Sequence, residues 1–141
     1  MEGKLKLSAL DADDLAVISA AVQDSLVAVR DCAHFAGEKR FVLLLNRFRW
    51  EADPGADTAY WRTHAAIVFN DVSSVHHHNV PLNEPDRMLE LLALAVDGPN
   101  SITLRFAAGR AIRLEVSRLV CHLEDVGEPW PTPWKPAHPA D

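Results

Sequence analysis

Seven histidines and two cysteines are the residues of this chain best suited to chemistry, and three histidines are consecutive, His76-His77-His78. Side chains alternate along a strand, so His76 and His78 share a face. Their backbones then lie roughly 6.6 Å apart, at about 3.3 Å of rise per residue. That spacing makes half of a metal site. Cys32 and His34 form a second same-face pair, and His64 is a further candidate ligand. If the strands that carry them are neighbours, Cys32, His34, His76 and His78 could close a tetrahedral site. None of them stands in a Cys-x-x-Cys frame, and a wet strand end ahead of Asn79 and Pro81 is the plainer reading of the triplet. The expectation is no resident cofactor. A divalent ion at His76 and His78 after nickel purification would be adventitious.

Cys32 with His34, and Cys121 with His122, have the residue types of a thiol nucleophile and its base. Adjacent strand residues point apart, so Cys121 and His122 should not meet. Cys32 and His34 share a face, but read more simply as a small buried hydrophobe and a rim histidine. There is no Gly-x-Ser-x-Gly elbow, phosphate-cradling glycine loop or zinc-protease motif. A metal- or thiol-dependent small enzyme is thus the alternative reading, and no catalytic residue is assigned.

Basic residues crowd the middle of the chain, from Lys39 and Arg40 to Arg118, while the ends are acidic. Arg47 and Arg49 are expected on one strand face, and Arg105 and Arg113 on the polar face of a hairpin. Were those faces to coincide, a positive stripe could take a phosphate-bearing or acidic partner. The plainer reading is a solvated sheet face with cross-strand ion pairs, for example to Glu115. Phe48 and Trp50 fall on the opposite strand face from Arg47 and Arg49, so no aromatics join the arginines on their face, and the formal charge is −6; nucleic acid is not an expected partner.

These residues need strands to hold them, and the clearest is the hairpin Ser101 to Val116. Ile102, Leu104 and Phe106 share a face, as do Ile112, Leu114 and Val116. A two-residue turn would set Leu104 against Arg113 and bury arginine beside the core. A three-residue loop, Ala107 to Gly109, sets Leu104 against Ile112 and Phe106 against Arg110. Gly109 then supplies the left-handed position that closes such loops. The hairpin loop is predicted to be odd in length.

Along the rest of the chain, Lys4 to Leu10 reads as a short strand. A helix follows from Asp11 to Asp24, capped by Asp11, with Leu15, Ile18 and Val22 as its apolar stripe. Ser25 to Phe35 reads as a strand and Ala36-Gly37-Glu38 as a turn. Phe41 to Leu45 is apolar on both faces, as a doubly covered central strand would be. Glu51 to Thr58 is a polar loop; Tyr60 to Phe69 and Val72 to His78 are strands. Pro85 suits the first turn of a short helix. Met88 to Val96 reads as one helical turn and then a strand. Residues 116–124 fit a helical stripe and a bulged strand about equally. From Gly127 the tail is proline-rich and extended. Its Pro-x-x-P spacings make an unpromising SH3-type ligand. Trp130 and Trp134 read instead as a strap over an apolar sheet face.

At 141 residues and 48% hydrophobic, one domain is expected, residues 1–128, with 129–141 as the strap. There is no apolar run of membrane-spanning length and no apolar leader. Two cysteines are too few for a disulfide scaffold. A cytoplasmic setting follows as an expectation.

Taken together, LKLSALDADDLAVISAAVQDSLV, FVLLLNRFRWE, LLALAV and ITLRFAAGRAIRLEV with LEDVGEPW resemble the domain of unknown function 2948 (DUF2948), a family of small, mostly alphaproteobacterial proteins. Gln23-Asp24, Asn46-Arg47-Phe48 and Trp50-Glu51 are its most characteristic segments. The resemblance implies a bacterial cytoplasmic setting and supplies no activity or site residue.

The fold expected is α+β: a curled antiparallel sheet or partly open barrel of about seven or eight strands. It carries an N-terminal helix and a short C-terminal one if residues 116–124 are helical. A PH-like barrel is the first named comparison on that condition. The function expected is a small non-enzymatic binding module for a protein partner or a second copy of the chain.

Overall fold

The structure is a computed structural model that describes residues 4–51 and 60–136. Among them are ten strands and one α-helix: β1 Lys6–Ala9, α1 Ala12–Ala21, β2 Ser25–Ala28, β3 Cys32–Phe35, β4 Arg40–Phe48, β5 Tyr60–Phe69, β6 Val72–His78, β7 Met88–Val96, β8 Ser101–Phe106, β9 Arg110–Val116 and β10 Cys121–Thr132. Every pairing is antiparallel. The strands lie in the order β1-β10-β5-β4-β2-β7-β8-β9-β6, and β3 pairs with β4 off that path.

Two residues show how far this sheet must curl. β6 lies six strand positions from β5 in that order, yet only Asn70 and Asp71 separate them in sequence. A flat sheet would place them about 29 Å apart, at about 4.8 Å per strand. The chain from Phe69 to Val72 reaches at most about 11 Å. The far edge therefore swings back toward β5. It is held there by Val72 N–H donating to Lys39 O at 2.8 Å and Asn70 N–H to Val120 O at 2.9 Å. The sheet stops short of closure, and its inner face forms one core running from Leu15 and Ile18 of α1 through Leu43, Ile67, Leu91, Leu104 and Ile112 to Leu123.

The hairpin has the expected odd loop, with Phe106 opposite Arg110 and Leu104 opposite Ile112. Gly109 is left-handed at φ 69°, and so is Ala108 at φ 68°. Gly109→Ala should cost about 1 kcal/mol, because the new Cβ meets the left-handed penalty; urea unfolding measures it. The helix also begins as read, with Asp14 N–H donating to Asp11 Oδ1 at 2.8 Å. It ends at Ala21, before the predicted Asp24, and Leu15 and Ile18 are its buried residues.

Six expectations are corrected, the first being the strand count, which is ten where seven or eight were expected. Ser25 to Phe35 is two strands, because a 3-10 turn at Val29–Asp31 bends the chain between β2 and β3. Residues 81–86 form turns with no helix. Met88 to Val96 is strand throughout; a bulge between Leu91 and Ala93 changes its phase, so Leu89, Leu91 and Leu94 imitate an uneven helical spacing. Residues 121–132 are a strand, so the helix expected within residues 116–124 is absent and the condition for the PH-like comparison fails. Finally, β4 is covered on one side only. Phe41, Leu43 and Leu45 are buried while Leu44 is 50% exposed.

The polar loop expected from Glu51 to Thr58 lies, beyond Glu51, outside the described residues. The expected strap joins the sheet as far as Thr132, which pairs with Tyr60. No helix among the described residues is long and apolar enough to cross a membrane.

Candidate functional site

The outer face of β3, β4, β5 and β10 departs most from what a wet sheet face should be. Outward residues of a solvated strand are normally polar. Here Ala33 on β3, Val42 and Leu44 on β4, and Ala66 and Val68 on β5 fall into register beside one another. Val126 of β10 continues the row opposite His64. Phe35, Leu44 and Val126 are each between 43% and 50% exposed. A shallow concavity of about 350 Å³ lies here, lined by Leu44, Leu45, His64, Ala65, Val126 and Asp31 among others. A second, of about 300 Å³, is more polar and includes Arg40, Val68, His122 and Glu124. His64 stacks at 4.7 Å on Trp130, so this tryptophan covers one end of the face while Trp134 is exposed. An apolar centre with charged residues at its margin is the anatomy of a protein contact surface.

On the inner side, the two arginines assigned to a partner face are buried. Arg47 follows Phe41, Leu43 and Leu45 in the inward phase of β4, and its side chain is fully buried. It donates from Nε and Nη2 to the two oxygens of Asp125, both at 2.7 Å. It also donates from Nη1 and Nη2 to the two oxygens of Glu51, at 2.9 and 2.7 Å. Asp125 in turn accepts from Leu5 N–H at 2.9 Å, which fastens β10 to the chain leading into β1. Burial opposes the charge on Arg47, but the bonds to Asp125 and Glu51 outweigh it and hold the guanidinium above its ordinary value. Burial likewise raises Glu51, yet the bonds from Arg47 leave it below the usual carboxylate range. Arg49 is also buried, 3.7 Å from Glu51. The sequence marks Glu51 and Asp125 only as parts of segments that carry the family resemblance, with no sign that they pair with Arg47. The odd-numbered phase of β4 was the available signal, since it carries Arg47 inward.

Arg105 and Arg113 lie elsewhere, on the outer face of the β8–β9 hairpin, and both are exposed. Register sets Arg113 opposite Thr103 on one side and His76 on the other, while His78 stands opposite Ala111. Thus His76 and His78 join Arg105 and Arg113, and the arginine pairs do not meet on one face. Arg113 pairs with Glu115 at 3.1 Å, but the two stand on one face of the same strand, so the ion pair runs along β9 and not across strands as expected. A guanidinium beside His76 opposes a metal cation.

The remaining candidate ligands are dispersed. Cys32 and His34 are in the inward phase of β3, opposite Leu43 and Phe41. His64 is on β5, stacked on Trp130. His77, in the inward phase of β6, senses His34: burial, then His34 and His76, lower its pKa. No three His, Cys, Asp or Glu side chains converge as a metal site among the described residues. Burial pushes the Cys121 thiol up to about 12. Burial and the nearby Asp31 charge do the same for Cys32. Cys121 is buried and His122 exposed, bonded instead to Ser8 Oγ at 2.9 Å, so this pair points apart as expected.

Three short segments that carry the family resemblance meet around Arg47. Trp50 Nε1 donates to Gln23 O at 2.9 Å, Arg62 Nη1 donates to Asn46 Oδ1 at 2.9 Å, and Arg47 holds Glu51. No curated protein and no solved structure matches the chain. A family model described as a protein of unknown function, DUF2948, matches residues 5–138. That match spans nearly the whole chain, which therefore belongs to the DUF2948 family.

Proposed function

We propose that the chain is a non-enzymatic protein-interaction module and that its contact surface is the outer face of β3, β4, β5 and β10. One observation carries this reading. β4 has the sequence of a strand covered on both sides, Phe-Val-Leu-Leu-Leu, and Leu44 stands half exposed on the uncovered side. A partner surface with an apolar centre would supply the missing cover. Both thiols are held neutral by burial, which favours a binding role over a thiol-dependent one.

A photo-crosslinking amino acid at position 44 tests the reading in the cell that makes the protein. Discrete adducts are expected at 44 and not at position 13 on the exposed start of α1. Leu44→Glu should abolish binding of the captured partner while changing stability by less than about 0.5 kcal/mol, as surface substitutions do. Adducts no stronger at 44 than at 13 would remove the proposal.

A further inference from the structure

The strand that carries the histidine triplet is also an edge. β6 ends the sheet order, with β9 on one side and, among the described residues, no paired strand on the other. A bulge at Ser73 separates Val72 from the rest of the ladder with β9, and Val72 N–H donates to Lys39 O. Ser74 to His78 is the stretch left with an open backbone edge. Beside that edge lie His76 and His78, with Arg113 directly across from His76 and Arg105 one strand further on. Arg110 adds a cation at the loop end, donating from Nε to Asn79 O at 3.2 Å. Acidic side chains on this side include Glu115, paired with Arg113, Asp97, which accepts from Thr103 Oγ1, and Glu90 in the outward phase of β7. Cations thus gather here on a chain whose formal charge is −6.

We propose that the open edge of β6 takes an extended acidic segment of a partner protein as an added strand. An added strand satisfies its backbone on Ser74 to His78, which gives affinity without regard to sequence. Its alternate side chains then stand on the outer face, next to His76 and His78, with the long Arg113 side chain reaching from β9 one strand further in. Carboxylates two residues apart repeat at roughly the 6.6 Å spacing of His76 and His78. Charge decides between the possible occupants. A second copy pairing β6 against β6 would set two histidine rows together with Arg113 of each copy behind them, which adds no opposite charge, whereas Asp or Glu at alternate positions complements the arginines. Nucleic acid would find cations there, but no tryptophan, tyrosine or phenylalanine stands on the outer face of β6, β8 or β9 to stack its bases.

The test uses three capped peptides and the isotopically labelled protein, followed by amide NMR: alternating Val-Glu, alternating Val-Lys, and Val-Glu with every second backbone nitrogen methylated. The Val-Glu peptide is expected to shift the amides of Ser74 to His78 and of Arg113, more weakly as salt rises. N-methylation should weaken binding at least tenfold, because it removes the donors that pair with the edge. Arg105→Glu with Arg113→Glu should do so about tenfold, its fold verified by unchanged amide positions on β4 and β5. His76→Thr with His78→Thr, which keeps strand propensity, should show a smaller loss. Binding unaffected by N-methylation, or matched by a DNA duplex of equal charge, would mean simple polyanion attraction and overturn the proposal. So would absence of shifts on β6. None of these results depends on Leu44, so they stand or fall apart from the contact surface proposed above.

Discussion

Arg47→Met lowers the stability of the fold by about 3–5 kcal/mol, the usual cost of removing one partner from a buried ion pair. Methionine keeps much of the arginine stem, so the loss is chiefly that of the charge. Asp125 then stays buried with only the Leu5 amide to answer it, while Glu51 can turn to water. Urea unfolding should show the midpoint falling with the slope unchanged. Arg47→Met combined with Asp125→Asn should recover most of the loss, because asparagine keeps an acceptor for Leu5 N–H and carries no charge to strand. A loss below about 1 kcal/mol for Arg47→Met would put this pair in the class of surface ion pairs. The acid limb follows from the same geometry. Glu51 has a depressed pKa when folded, so its contribution is complete above the unfolded value of about 4.3 and is lost as pH falls below it. In Arg47→Met that step should vanish from the pH–stability profile.

The alkaline limb belongs to the thiols. Burial pushes Cys121 from an ordinary 9.0 up to about 12. A raised pKa means that the stability it contributes is complete below about pH 9 and is lost as pH rises from there toward 12. Near pH 11 the unfolded thiol is about two units past its pKa, which amounts to roughly 2–3 kcal/mol lost through Cys121. Cys32 moves the same way but is partly exposed, so its share is smaller. Unfolding measured at pH 8 and pH 11 should show a smaller drop for Cys121→Val than for the parent chain. Equal drops would show that Cys121 ionises as easily in the fold as out of it.

What the sequence disclosed depended on whether a strand kept its phase. The hairpin Ser101 to Val116 did, so parity alone selected its loop and its facing residues. β5 also did, and its bounds match the reading from Tyr60 to Phe69. Met88 to Val96 did not, because the bulge after Leu91 makes its apolar spacing two and then three. β4 hid its phase differently. Five consecutive apolar residues fit either side, so Arg47 was assigned outward together with Arg49. Counting by twos from Phe41 would have carried it into the core. The carboxylate that receives it is 78 residues further along, at Asp125, and no local pattern announces such a partner. The apolar outer face was visible as composition but misread as evidence of a covering layer within the chain. The meeting of His76 with Arg113 required the pairing of β6 with β9, which sequence spacing does not supply.

The position of β10 between β1 and β5 has a consequence for biosynthesis. Of these strands β1 is made before the others, yet its one strand partner among the described residues is β10. Arg47 emerges with Glu51 close behind, and waits for Asp125. The nascent chain can form its middle hairpins as they appear, but the core face of β5 stays uncovered at one edge until residues 121–126 are free. Pairings between such distant segments slow folding and prolong the exposure of apolar strands. The FVLLL stretch of β4 is the segment most in need of shielding during that interval, and the cell's holding chaperones are the factors expected to meet it first.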